Sequence, residues 1–278
     1  MNSEAYRYSE ITYLLAKRSV DDRALNGRVL GTVEAAIRAL PRPPRVLELG
    51  AGVGTMAARL AARGSLAAAR YTLLDSDGAS LRAAREHLDP WARRGLDVEL
   101  VEADVFAWLD TPQEAPYDLV IASAFLDLVD VPALLPKLWR RVGPGRPFWF
   151  SINFDGETIL LPELDGDTDV MRRYHRSMDD RVRNGRRAGE SRTGRHLLES
   201  LPRSGARIVE AGSSDWVVWP TDGAYPAEEA VFLHHIVATI EGALDGAFSD
   251  WVAARHAQVE RGELIYIAHQ LDVAGYAP

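Results

Sequence analysis

Cysteine is absent from the 278 residues of the chain. Its absence excludes a disulfide framework, a thiolate metal site and a cysteine nucleophile. A basic excess is also missing, because the net charge of -8 is opposite in sign to a general nucleic-acid-binding surface. No hydrophobic run approaches the roughly 20 residues that cross a bilayer, and the polar N-terminus has no apolar signal core. We therefore expect a cytoplasmic protein that does not partner a membrane, and the acidic balance disfavours nucleic acid as its partner.

Short apolar runs alternate with helix-forming stretches after a proline-rich turn at 41–44. This alternation predicts strands joined by crossover helices, which is typical of a mainly parallel sheet. The predicted strands are Val46–Leu49, Tyr71–Asp75, Val98–Glu102, Leu119–Ala122 and Phe148–Ile152, and the predicted helices lie near 55–63, 78–90 and 132–141. Only a short helical turn is expected after Asp104.

The segments on either side of this alternation have different patterns. Residues 9–40 carry apolar side chains at helical spacing, with a break expected at Asn26-Gly27. Residues 156–190 are polar and predict an irregular insertion. The later part predicts helices at 191–204, 226–245 and 249–260, and strands at 207–211, 216–219 and 263–272. We therefore expect an N-terminal helical cap at 1–44, a core formed by 45–155 and 191–278, and a lid or substrate-binding insertion at 156–190.

A glycine-rich segment, Glu48-Leu-Gly-Ala-Gly-Val-Gly54, follows the first predicted strand. Glycine permits a tight turn and a close approach of backbone to a ligand. A strand, a glycine loop and a helix N-terminus together form nucleotide sites in open α/β sheets. The stretch from Gly52 to Ala57 also fits the dinucleotide fingerprint, with Asp75 as its ribose-binding acid.

The same segment resembles the first motif of the class I S-adenosylmethionine-dependent methyltransferases, which place an acid such as Glu48 before the glycines. A second acid, Asp104, stands where that family binds adenine, and the resemblance extends over residues 45–153. It implies S-adenosyl-L-methionine as the cofactor. It also implies an α/β fold with a doubly wound, mainly parallel seven-stranded sheet, N-terminal helices and helical insertions near the C-terminus.

The resemblance assigns a set of residues to the cofactor. Asp75 would accept hydrogen bonds from both ribose hydroxyls, since two acceptor oxygens match two adjacent donors. Asp104 would meet the adenine amine, and the apolar residues after it would cover the ring. A turn role for Asp75 and an N-cap role for Asp104 are the structural alternatives. The complete set is Glu48, Gly50, Gly52, Gly54, Asp75, Ser76, Asp104, Val105, Phe106, Ser123 and Ala124.

The acceptor is expected over the carboxyl ends of the strands. Tyr13, Phe125 and Asn153 are the candidates for contact with it. His175 and Asp155 are the candidates for catalysis, because a neutral imidazole can deprotonate a phenol or alcohol near pH 7. A structural or solvent-facing histidine is the alternative for His175.

Other charged residues have two interpretations each. Asp127 and Asp130 could bind a cation or cap the following helix. One of Lys17, Arg18 and Arg23 could hold the cofactor's carboxylate, although each could equally lie on the surface. The basic stretch 171–195 is either a solvated face or a lid that recognises an anion. The sequence requires no metal.

The residues and the resemblance together predict methyl transfer to a small-molecule acceptor, aromatic or anionic, by an enzyme that could form a homodimer. Three alternatives stay open. The cofactor could act as an electrostatic element in non-methylating chemistry, the acceptor could be a nucleic acid, or the chain could be a non-catalytic binding module. The element -Ser-Ala-Phe-Leu- after the fourth strand lacks the Pro-Pro pair of enzymes that methylate adenine nitrogens.

Overall fold

The computed structural model describes residues 6–66, 68–112 and 115–278. Its helices are α1 (Glu10–Ala16), α2 (Arg18–Ala24), α3 (Gly27–Arg38), α4 (Thr55–Ala62), α5 (Gly78–Ala92), α6 (Val105–Leu109), α7 (Val131–Trp139), α8 (Asp167–Asp179), α9 (Thr193–Arg203), α10 (Glu229–Glu241) and α11 (Ser249–Glu260). Its strands are β1 (Arg45–Leu49), β2 (Arg70–Asp75), β3 (Asp97–Glu102), β4 (Leu119–Ser123), β5 (Pro147–Leu161), β6 (Val182–Arg183), β7 (Arg186–Arg187), β8 (Arg207–Ser213), β9 (Trp216–Val218) and β10 (Ile265–Tyr276).

The main sheet has the order β3-β2-β1-β4-β5-β10-β8, and β9 also pairs with β10. Strands β1 to β5 are parallel, whereas β10 is antiparallel to both β5 and β8. The predicted α/β fold with a mainly parallel sheet is therefore confirmed, with seven strands on the main path and β9 as an addition. Helices α10 and α11 separate β9 from β10, as the expected helical insertion near the C-terminus.

Local capping explains where several helices begin. Asn26 accepts hydrogen bonds from the backbone N–H groups of Arg28 and Val29 at 3.1 and 3.2 Å, so α3 starts at the predicted break. Asp77 accepts from the N–H groups of Ala79 and Ser80 at 3.0 and 3.1 Å and starts α5. Residues 9–40 thus form three helices.

The prediction of an irregular segment at 156–190 is wrong. Strand β5 continues to Leu161 because β10 pairs with it along its length, up to Ile265 opposite Leu161. Helix α8 and the β6–β7 hairpin follow. The helix was hidden in the sequence because it buries only two side chains, Val170 and Tyr174, which are four residues apart on one face.

Three apolar clusters organise the molecule. One packs α3, α4 and α5 on one face of the sheet, and another packs α6, α7 and α9 on the opposite face. The third joins α1, α2, α8, α10 and α11 to β9 and to the second half of β5. The N-terminal and C-terminal helices therefore form one layer beside the sheet. Within the described ranges, no helix has both the length and the apolar character that crossing a membrane would require.

Candidate functional site

A cavity of about 700 Å³ lies over the carboxyl ends of the parallel strands. Four distant parts of the chain line it: helix α1, the loops after β1 to β4, the α8–hairpin segment and the elements β9, α10 and β10. Of the residues predicted from sequence, it is lined by Tyr13, Gly50, Gly52, Asp75, Ser76, Asp104, Val105, Phe106, Ser123, Ala124 and Phe125.

The glycine loop forms one wall of this cavity. Gly50 and Gly52 have φ angles of +61° and +50°, a region that favours glycine. A Cβ on Gly50 would overlap the ring of Phe125, and one on Gly52 would lie 2.9 Å from Leu14 Cδ1. Glycine is thus required both by the turn and by the close approach of two other cavity residues.

Gly54 does not line the cavity, contrary to the sequence prediction. Its φ is +72°, and a Cβ there would lie 2.9 Å from Leu88 Cδ1 and 3.1 Å from Leu73 Cδ2. The residue precedes α4 and lets that helix pack closely against α5 and the sheet. Its role in the structure is packing.

Asp75 ends β2 with its carboxylate held by backbone donors. Gly52 N–H donates to Oδ2 at 2.8 Å, and Asp77 N–H donates to Oδ1 at 2.9 Å. Each oxygen keeps further acceptor capacity. The turn role and the proposed ribose role are therefore compatible, since the same bonds that shape the loop also orient the carboxylate.

Asp104 caps α6 with a single oxygen. Oδ1 accepts from the backbone N–H groups of Phe106 and Ala107, both at 3.0 Å. Oδ2 has no hydrogen-bond partner among the residues that the structure describes. The Phe106 ring lies next to it on the cavity wall, and the Arg186 guanidinium stacks 5.0 Å from that ring's centre.

Two cavity residues, one directly after β4 and one within β5, have left-handed backbone. Ala124 has a φ of +49° and Ile152 a φ of +55°. Hydrogen bonds hold both: Ala124 N–H donates to the Ser151 carbonyl at 3.0 Å, and Ile152 N–H donates to Asp272 Oδ1 at 2.7 Å. Such strain in residues other than glycine clusters at ligand sites, where the surrounding structure enforces it.

Glu48 lies in the core rather than at the cavity, which corrects its predicted contact with the cofactor. Its side chain accepts a hydrogen bond from the Tyr71 hydroxyl at 2.7 Å. The residue is 2% exposed, and burial raises its pKa to about 7. Its partner Tyr71 belongs to the apolar cluster that α3 and α4 cover.

The predicted contacts of Asn153 and Asp155 are also corrected. Successive side chains of a strand point to opposite faces, and in this strand Ile152 and Phe154 line the cavity. Asn153 instead donates to the Leu271 carbonyl at 2.8 Å. Asp155 accepts from Arg195 Nε at 2.9 Å and from the same residue's backbone N–H at 2.7 Å.

The structure does not bring His175 to the cavity. Its Nε2 lies 3.2 Å from Thr158 Oγ1, and its partial burial lowers its pKa. The preceding residue, Tyr174, lines the cavity instead. Consecutive residues of a helix differ by about 100° in direction, so only one of the two can face the site. His175 is therefore not placed as the general base.

Asp127 and Asp130, which the sequence left ambiguous, have different surroundings. Asp130 caps α7 by accepting from Ala133 N–H at 3.1 Å. Asp127 lines the cavity, its Oδ1 is buried without a hydrogen-bond partner, and burial raises its pKa. In the described ranges no cluster of three metal-ligating side chains occurs.

Positive charge reaches the cavity from two directions. Lys17 lines it, whereas Arg23 pairs with Glu229 at 2.9 Å and lies outside it. On the opposite side the α8–hairpin segment contributes four arginines. They are Arg181, Arg183, Arg186 and Arg187.

Sequence reasoning missed several cavity residues because they lie far from the motifs along the chain. Tyr266 and Gln270 come from β10, and His235 and Thr239 come from α10. No spacing in the sequence marks them. Asp21, which does not itself line the cavity, was also missed: it joins the cavity residues Lys17 and Trp216 through hydrogen bonds of 2.8 and 2.9 Å.

Comparison with known proteins agrees with this arrangement. Residues 46–145 match the family model described as a methyltransferase domain. A trans-aconitate 2-methyltransferase from Paracidovorax citrulli is 39% identical over 101 residues, covering 36% of this chain and 35% of that protein. One from Streptomyces coelicolor is 35% identical over 122 residues, covering 43% and 38%. The match thus spans little more than a third of the length of these curated relatives.

The crystal structure of YjhP from E. coli has a similar fold, with a TM-score of 0.51 and 14% identity over 96% of this chain and 99% of that one. That likeness concerns the fold alone. The family match covers the glycine loop, Asp75, Asp104 and the end of β4, which are the parts that shape one half of the cavity. The chain therefore carries a domain of the class I S-adenosylmethionine-dependent methyltransferase family.

Proposed function

We propose that the protein transfers a methyl group from S-adenosyl-L-methionine to a small organic anion. The observation that carries the proposal is the single cavity. At one end it has the glycine loop, Asp75 and Asp104, and beyond the Ser123–Phe125 turn it has buried tyrosines and cations. A cofactor and an acceptor would therefore lie end to end in one enclosure.

The residues at the first end fit the cofactor. Asp75 presents two oriented oxygens to a ribose diol, and Asp104 keeps Oδ2 for an adenine amine. Phe106 would offer an apolar surface to the adenine, and the Arg186 guanidinium lies over the Phe106 ring. The left-handed glycines let the loop's backbone face the cavity without a Cβ.

The cofactor supplies an electrophilic methyl group on a sulfonium. The protein's part is to hold the nucleophile in line with that methyl group and to exclude water, which lowers the entropic part of the barrier. The Ser123–Phe125 turn lines the cavity and would lie beside the reacting methyl group. We also propose that the helices of segment 1–44 cap the cavity and that the α8–hairpin part of 156–190 closes it as a lid.

An anionic acceptor, specifically a carboxylate, is supported by two observations. The curated relatives act on trans-aconitate according to their names. Lys17 and the arginines of the hairpin segment bring cations to the cavity, and arginine matches carboxylate geometry. An ionised carboxylate oxygen attacks without prior deprotonation. The chemistry then needs no general base, which agrees with the position of His175 outside the cavity.

The test uses cofactor with a labelled methyl group. Trans-aconitate, other small di- and tricarboxylates and their methyl esters are each incubated with the protein, and both the label and S-adenosylhomocysteine are measured. We expect label in a base-labile ester and an equal amount of S-adenosylhomocysteine, from the free acids only. Calorimetry in which NADH binds and S-adenosylhomocysteine does not would reject the proposal. Label retained on the cofactor during conversion of an acceptor would favour non-methylating chemistry.

A further inference from the structure

Three tyrosine hydroxyls face the acceptor end of the cavity. Tyr13 comes from α1, Tyr174 from α8 and Tyr266 from β10. None of the three hydroxyls has a hydrogen-bond partner in the described part of the chain. Burial raises the pKa of each. Tyr174 and Tyr266 also raise the pKa of Tyr13, and Tyr174 raises that of Tyr266. They consequently stay protonated near neutral pH and can donate hydrogen bonds.

Gln270 adds an independent indication of a ligand. It lines the same cavity, is 1% exposed, and has a buried Nε2 with no hydrogen-bond partner. A buried donor left without an acceptor is destabilising. Such a group is expected where a ligand supplies the acceptor.

Lys17 places a charge beside these donors. Its side chain is 9% exposed, and its Nζ donates to Asp21 Oδ2 at 2.8 Å. Asp21 Oδ1 accepts from Trp216 Nε1 at 2.9 Å, and Nζ lies 5.5 Å from the centre of the Trp216 ring. The ammonium is thus fixed by one carboxylate and one indole, and it has two further N–H groups to donate.

Three acidic groups act on these tyrosines: Asp21 and Glu10 raise the pKa of Tyr13, and Asp127 acts on Tyr174. Asp127 raises the pKa of Tyr174, while Arg181 acts in the opposite direction. Burial raises the pKa of Asp127 itself, which favours its neutral form. Lys17 and Arg181 thus set positive charge against Asp21 and Asp127, and Glu10 is a further carboxylate of the cavity wall that acts on Tyr13.

The distance across the sheet separates this end from the cofactor end. Strand β10 is four strands away from β2, which carries Asp75. At about 4.8 Å per strand, that separation is about 19 Å. The cofactor's amino-acid arm has only one sulfur and three carbons between its ribose and its carboxylate. A carboxylate bound at Tyr266 and Gln270 therefore belongs to the acceptor.

We propose that Tyr13, Tyr174, Tyr266, Gln270 and Lys17 form the subsite that binds the acceptor's carboxylate and points its other end at the Ser123–Phe125 turn. All five groups donate hydrogen bonds, and a site made of donors selects a ligand made of acceptors. This inference rests on the proposed function, because it names the part of the acceptor that the cavity recognises.

The test measures binding to protein saturated with S-adenosylhomocysteine. Trans-aconitate, citrate and benzoate are titrated by calorimetry into the parent protein and into Tyr266→Phe and Gln270→Leu. Each variant removes donors to a charged group, so we expect the Kd of the bound anion to rise about tenfold or more. The Kd of S-adenosylhomocysteine should not change. Tyr117→Phe is the matched control, since Tyr117 is buried outside the cavity and its hydroxyl lies 3.3 Å from Thr72 Oγ1.

Three results overturn the inference. If none of the three anions binds the saturated protein, the subsite is wrong while the methyltransferase proposal stands. If the variants bind S-adenosylhomocysteine more weakly but bind 5′-methylthioadenosine, which lacks the carboxylate, as tightly as the parent, then these donors hold the cofactor's own carboxylate. If the parent protein does not bind S-adenosylhomocysteine at all, the proposed function fails and the subsite with it.

Discussion

Replacement of Asp75 by alanine tests the cofactor end most directly, because one carboxylate has two tasks there. It accepts the N–H groups of Gly52 and Asp77 at 2.8 and 2.9 Å, and it would accept the ribose hydroxyls of a bound cofactor. The alanine variant leaves two partly buried backbone donors without their acceptor. We expect the free energy of unfolding to fall by about 1–3 kcal/mol for that reason.

The same change should weaken cofactor binding separately. Hydrogen bonds to a charged group contribute about 1.5–3 kcal/mol, so we expect the Kd of S-adenosylhomocysteine to rise about 10- to 100-fold. Calorimetry gives the Kd, and urea titration of the ligand-free protein gives the unfolding free energy. The 2′-deoxy analogue of the ligand should bind the variant and the parent protein with more similar affinities, since part of the lost contact is already missing from it.

Asp130→Ala is the matched control for this experiment. Asp130 caps α7 through Ala133 N–H at 3.1 Å and does not line the cavity. Loss of such a cap costs about 0.5–2 kcal/mol of stability and should leave the Kd unchanged. An Asp75→Ala protein that is destabilised but binds S-adenosylhomocysteine as tightly as the parent would show that Asp75 only shapes the turn.

Three further predictions concern the fold around the site. Gly50→Ala places a Cβ at a φ of +61° and against Phe125, so urea titration should show that the free energy of unfolding falls by at least about 1 kcal/mol. Gly31→Ala is the control: it lies inside α3 with nothing within 4 Å of a new Cβ, and its free energy of unfolding should rise by about 0.4–1 kcal/mol. Burial lowers the pKa of His234 to about 4, so the stability that its neutral form contributes above pH 6.5 is lost as the pH falls towards 4. His234→Phe should therefore flatten the acid limb of a plot of melting temperature against pH. Burial raises the pKa of Glu48 to about 7, so the stability it contributes below pH 4.5 is lost as the pH rises through 7. Glu48→Gln should flatten that limb of the profile and leave the Kd of S-adenosylhomocysteine unchanged. An increased Kd would show that Glu48 contributes to cofactor binding after all.

The half of the cavity that we propose for the cofactor was readable from sequence because its determinants are local. A left-handed turn requires glycine at Gly50 and Gly52, and an acid at the end of a parallel strand lies at the same sheet edge as the loop. The alternation of strands and helices fixed the parallel sheet for the same reason. Asp104 and Phe106 follow β3 directly, so the prediction of that strand also predicted their positions.

Apart from Tyr13 and Phe125, which the sequence offered as candidates, the half of the cavity that we propose for the acceptor was decided by tertiary structure. Pairing with β10 extends β5 to Leu161, which turns Ile152 and Phe154 towards the cavity and Asn153 and Asp155 away from it. The sequence around Gly156 does not indicate that pairing, because glycine and polar residues interrupt the apolar run of the strand there.

The same holds for the residues that converge from distant segments. Tyr13, Tyr174, Tyr266 and Gln270 are spread over more than 250 residues of chain, and each has an ordinary local context. Their hydroxyl and amide groups become a site only because α1, α8 and β10 pack against one another around one cavity. Local propensity and spacing act over a few residues, so the sequence by itself determined the cofactor loop, and the packing of the flanking helices decided the acceptor pocket.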